Sequence, residues 1–107
     1  MSEAGDPAID ALIAAARADF ARGLVPKAAA IEALVGRGAW DDARRAAHKL
    51  RGSAGVYGFA AIGAAAAALD DVLCGADQTP DATELAYVHE KLRELRAEAE
   101  HASRADP

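Results

Sequence analysis

With 107 residues the chain has room for one domain and one modest hydrophobic core. Alanine dominates and aromatic residues make up only 5%, a composition that points to helices packed closely on small side chains. The formal net charge of −5 excludes a general nucleic-acid binder, which needs a basic face to neutralise phosphates, and the single cysteine, Cys74, excludes an internal disulfide. No apolar run approaches membrane-spanning length. The opening "MSEAGDPAID" carries acids and no basic stretch, unlike a secretory signal, and begins with Met1 as a complete small protein would. The expectation is one soluble, cytoplasmic domain over residues 1–107 with an ordered core of about 8–102.

Apolar residues recur at helical spacing along nearly the whole chain, and no stretch alternates as a strand would. Ile9, Leu12, Ile13, Ala16 and Phe20 form a first stripe, preceded by Asp6-Pro7 as a helix start and broken at Gly23. Leu24, Ala28, Ile31, Leu34 and Val35 form a second, ended by the Gly36–Ala39 segment. Ala43, Ala46, Ala47, Leu50, Ala54 and Tyr57 form a third, and Phe59, Ile62, Ala66, Leu69 and Leu73 a fourth. "CGADQTPDATE" reads as a loop from its Gly, Pro and Asp content. Leu85, Val88, Leu92, Leu95 and Ala99 form the fifth and longest stripe, and "ASRADP" is expected to fray. Short connections favour antiparallel neighbours. The predicted fold is all-α, an antiparallel up-down four-helix bundle with an additional short N-terminal helix.

The segment "RRAAHKLRGSAGVYGF" stands out against this background, because it places His48 among basic residues and then adds glycine. On a helix of about 100° per residue, Leu50 and Tyr57 fall nearly opposite His48, so His48 points to solvent. Arg44 lies one turn before it on the same side, Arg51 and Gly52 about one turn after it, and Gly55 two turns after it. An exposed imidazole is largely neutral at pH 7, and a neutral ring nitrogen is a nucleophile. Arg44, Lys49 and Arg51 supply positive charge suited to a phosphoryl group. Glycine inside a helix costs ~0.5–1 kcal/mol against alanine, so Gly52 and Gly55 read as positions kept bare for a partner's approach.

These residues resemble the signature of histidine-containing phosphotransfer (HPt) domains: a small residue, His, any residue, Leu, Lys or Arg, Gly, and a second Gly six positions on. Here the pattern falls on Ala47, His48, Leu50, Arg51, Gly52 and Gly58. Trp40 stands where the family often has an aromatic at the start of the histidine helix. Two departures are visible: Arg51 replaces a frequent Lys, and Ala39 stands where a capping residue is common. The resemblance implies a phosphorelay carrier rather than a kinase. His48 would be the phosphoacceptor assisted by Arg51, with Arg44, Lys49, Gly52 and Gly55 forming the binding surface. The partners implied are a response-regulator receiver domain, a sensor histidine kinase, or both. The carrier would need no cofactor, Mg²⁺ being expected on the receiver, and would act as a monomer.

Plainer readings stand beside this one. Arg44 and Arg45 also fit ion pairs with Asp41 and Asp42 on a solvated face. Gly55 and Gly58 fit the end of a helix. His89 and His101 fit surface positions on the last helix, and Cys74 a small apolar residue at a helix end. Trp40 and Tyr57 fit packing roles. A metal site of His48, His89 and Cys74 would need distant segments to converge. The alternative function is a helical adaptor of the same fold that binds a receiver or kinase without being phosphorylated.

Overall fold

The computed structural model describes residues 6–74 and 79–105. Five helices account for nearly all of them: α1 (Pro7–Arg22), α2 (Leu24–Gly36), α3 (Trp40–Tyr57), α4 (Ala60–Leu73) and α5 (Ala82–Ala105). Local chemistry sets most of their ends. Asp6 caps α1, its side chain accepting a 2.8 Å hydrogen bond from the Ala8 amide, with Pro7 opening the helix. Gly23 interrupts the path from α1 to α2, yet its φ of −86° is ordinary right-handed backbone. The cause of the break lies ahead of it: Pro26 has no N–H to donate to the Arg22 carbonyl, so the helical ladder fails there and restarts with Pro26 in the first turn of α2.

α3 begins at Trp40 with no side-chain cap from Ala39, as expected, and Asp41 and Asp42 in its first turn complement the helix dipole instead. It ends at Gly58, whose φ of +78° only glycine adopts freely, with the Phe59 amide donating back to the Ala54 carbonyl at 2.9 Å. Gly55 does not share that role. It lies inside the helix, exposed, and a methyl group there would meet nothing within 4 Å.

The expected loop ends sooner than its composition suggests. The amide of Glu84 donates to the Asp81 side chain at 2.8 Å, and the amide of Asp81 donates to that of Glu84 at 2.9 Å. This reciprocal capping box starts α5 at Ala82. At its other end α5 runs through Ala105, so Ala102–Ala105 are helical rather than frayed. Residues 75–78 and the final two residues of the tail fall outside the described part.

The second to fifth apolar stripes supply the core. Leu24, Ile31, Ile62, Leu69, Leu73, Val88 and Leu95 are its largest fully buried members. α3 packs most extensively on α4, α4 on α5, α5 on α2 and α2 on α3, which closes a ring. The small residues Ala43, Ala47 and Ala54 on α3 and Ala66 on α4 are fully buried, and Gly63 is so near that an added Cβ would lie 3.7 Å from that of Ala54. Small side chains thus let the α3 and α4 backbones approach closely.

The first stripe behaves differently. α1, at 16 residues, is longer than α2 and α4, packs on α5 and α2, and has its buried residues, Phe20 and Ala21, at its C-terminal end. Phe20 is buried there, stacked on Tyr57 with ring centroids 4.7 Å apart. Ile9, Leu12 and Ile13 belong to the same stripe but are 53%, 70% and 59% exposed. The α3–α4 turn at Gly58 is what covers Phe20, and α1 overshoots it.

Candidate functional site

His48 lies on the α3 face that borders α4, in the middle of the close helix pair. Its side chain is 68% exposed, as the helical projection predicts. The projection misses what holds it. Nδ1 of His48 lies 2.8 Å from Oδ2 of Asp70, a residue of α4 that is almost wholly buried.

This contact decides the chemistry of the ring. An ionised carboxylate can only accept hydrogen bonds, so Nδ1 carries the proton. In the neutral imidazole the lone pair is then on Nε2, the nitrogen turned away from Asp70. The ring is held by one nitrogen and free to act as a nucleophile with the other.

Asp70 gathers more than the histidine. Nη1 of Arg51 lies 3.3 Å from the same Oδ2 and 3.4 Å from Oδ1 of the neighbouring Asp71. Nη1 of Arg44 lies 3.8 Å from Oδ1 of Asp70, while its Nε lies 3.7 Å from Asp41. Burial by itself pushes the Asp70 carboxyl up, but the hydrogen bond and charge of His48, followed by those of Arg51, outweigh it and hold the group below its ordinary value. Asp70 therefore stays a carboxylate at neutral pH and stays an acceptor.

Three residues of the sequence-derived set, His48, Arg44 and Arg51, thus converge on one carboxylate. Lys49 does not join them. It faces the α2 side, lining a groove with Lys27, Ala30, Ile31, Leu50 and Ser53. Gly52 and Gly55 lie on the open surface beyond His48, and a Cβ at either would meet nothing within 4 Å. Arg45 pairs with Asp41 and Asp42, as the plain reading of a solvated face expects. His89 and His101 are exposed on α5, Trp40 and Tyr57 pack against the core, and Cys74 is exposed just past α4.

Asp70 is the site residue that sequence reasoning passed over. A signal was present: counted from Ala66, it stands about 40° away on the helix, at the edge of the stripe of Ile62, Leu69 and Leu73. A carboxylate on an apolar face needs a partner, and His48, Arg44 and Arg51 on the facing helix are the available ones.

A family model described as Hpt domain matches residues 9–102, most of the chain and the whole of this site. No curated protein and no solved structure gives a match. Among the described residues no helix is long and apolar enough to cross a membrane.

Proposed function

This chain belongs to the Hpt domain family, whose role is phosphotransfer in two-component signalling, and from that premise we propose that His48 is its phosphoacceptor, through Nε2. The observation that carries the reading is the hydrogen bond from Nδ1 of His48 to Asp70. The incoming phosphoryl group is bound to an aspartate of a receiver domain, or is supplied by a sensor kinase. Nε2 carries no proton, so it attacks phosphorus without a general base. With an aspartyl phosphate as donor, the N–P bond forms as the bond from phosphorus to the donor oxygen breaks, and the donor's carboxylate leaves with its electron pair. The ring becomes positively charged while keeping its Nδ1 proton, and Asp70 stabilises that charge. The reverse transfer retraces the same path.

In this reading Arg51 and Arg44 are held by Asp70, Asp71 and Asp41 before a partner arrives, and Arg51, nearly half exposed, turns to the phosphoryl oxygens when one does. Gly52 and Gly55 leave room for the receiver's acyl phosphate, whose Mg²⁺ sits in the receiver's own acidic pocket. Lys49 contributes docking charge from the α2 side. The chain works as a carrier with no kinase activity of its own, as one cytoplasmic domain. Its α2–α5 ring is read as an antiparallel up-down bundle, with α1 appended, on the strength of the short connections at 37–39 and 58–59. A silent adaptor would have no use for a buried carboxylate that sets the tautomer of an exposed histidine.

The test is transfer from a phosphorylated receiver. The parent chain should take an acid-labile label, and His48→Gln should take none while keeping its helical signal. Undiminished labelling of His48→Gln, or a label that survives acid, would sink the proposal.

A further inference from the structure

The exposed part of α1 calls for an occupant. Ile9, Leu12 and Ile13 continue the stripe that Phe20 buries, on a side of the helix different from the one that faces α5. That other side, with Ala14 and Ala18, lines an open cleft of about 570 Å³ shared with Phe59 and Ala102, and Arg17 stands at the border between the two sides. Three large aliphatic side chains, each more than half exposed, thus lie together on little more than one turn of one helix, with nothing over them among the described residues.

We infer that this overhang pairs with the same helix of a second copy, forming an antiparallel two-fold dimer through Ile9, Leu12 and Ile13. The charges on α1 favour this occupant. Asp10 and Arg17 lie on the same flank of the stripe, about 20° apart in projection and two turns apart along the axis. In an antiparallel pair the same flank of each helix faces its counterpart. A two-fold axis between Leu12 and Ile13 sets Leu12 against Ile13 of the other copy and Ile9 against Ala16, and brings Asp10 within reach of the second copy's Arg17. Arg17 is held at this border by its own chain. Its Nε donates to the Tyr57 carbonyl at 2.9 Å and its guanidinium lies 4.3 Å from the Phe59 ring centre. The dimer replaces the monomer expected from the sequence and leaves both copies of His48 uncovered, because His48 sits nine residues back along α3 from the turn that α1 overshoots.

The patch is smaller than a standard interface of ~800 Å² per partner, so the dimer is weak and reversible. Sedimentation equilibrium on the whole chain, up to about 500 μM, should show a monomer–dimer equilibrium with a dissociation constant on the order of 10–100 μM. Leu12→Glu should leave the melt in dilute solution unchanged and abolish the dimer at every concentration. Asp10→Arg should weaken it a few-fold. Val56→Glu, at an 80% exposed position on α3, should dimerise like the parent. A parent chain that stays monomeric, or a Leu12→Glu variant that dimerises like it, overturns the inference. Loss of the dimer in Val56→Glu alone overturns it too, by moving the contact to α3. A lowered melt for dilute Leu12→Glu would show that the residue is packed within the monomer, with the same consequence.

Discussion

The α3–α4 pair and the first half of α1 use apolar residues in opposite ways. α3 meets α4 through alanines and a glycine, which bury little area each but allow the backbones to come close. α1 presents Ile9, Leu12 and Ile13, far larger side chains, and leaves them in water. The comparison teaches that side-chain size does not decide burial here. What decides it is whether a facing element is present at that level of the bundle. It also explains where the site is: only helices packed this closely can bring the carboxylate of Asp70 to 2.8 Å from a histidine that remains largely exposed.

On that contrast, changes on α3 and α4 should alter transfer or the stability of the dilute chain, and changes on the α1 overhang should alter neither. After the loss of transfer in His48→Gln, the largest effect is expected at Gly52, on the outer side of α3. Gly52→Gln puts a side chain beside Nε2, and a misplacement of the reacting groups by about 1 Å can cost 10²-fold in transfer rate. Gly52→Ala, whose methyl group meets nothing, should transfer like the parent and melt higher by ~0.5–1 kcal/mol of stability. Equal rates for Gly52→Gln and the parent would mean that the open surface is not the approach path.

Next in size is Asp70. Removing an outer partner that orients a reactive histidine should cost about 10–100-fold, by analogy with the partners of metal-bound histidines. Asp70→Ala should therefore slow transfer by that amount and also destabilise the fold by ~1–3 kcal/mol, because Arg44 and Arg51 lose their shared carboxylate. Transfer rates and melts on one preparation read both effects. Full activity in Asp70→Ala would detach the tautomer argument from the chemistry.

The packing contrast can be tested without any phosphoryl group. Ala54→Leu adds bulk where α3 meets Gly63 and should cost ~1–3 kcal/mol. Leu12→Ala removes a larger amount of apolar surface yet should change the stability of the dilute chain by less than ~0.5 kcal/mol. Reversed magnitudes in chemical denaturation would break the comparison outright.

A finer test uses pH. The Asp70 carboxyl is held below its ordinary value in the fold, so it contributes stability above the unfolded-state pKa and loses it as the pH falls through the folded-state value. Stability should decline as the pH drops below about 4, near the ordinary aspartate pKa. Asp70→Asn should show a shallower decline over that range. Identical pH profiles for the two proteins would mean that the carboxylate is not held as described.

Much of this was legible in the chain. The helical period gave all five helices, and the spacing of Ala47, His48, Leu50, Arg51, Gly52 and Gly58 marked the α3 face that carries His48. The capping box at Asp81 and Glu84 was readable too, though the Gly and Pro content of the preceding loop masked it. What could not be read was which helix faces which. Periodicity within one helix fixes the angle of each side chain about its own axis, so the sequence alone determined that His48 points outward and that Ile9, Leu12 and Ile13 share a side. Only the packing of α4 against α3 decided that Asp70 holds Nδ1 of His48, and only the level of the α3–α4 turn decided that Phe20 is covered while Leu12 is not. Those facts depend on the distance and axial offset between helices, which are set by small side chains and turn positions acting together across the bundle.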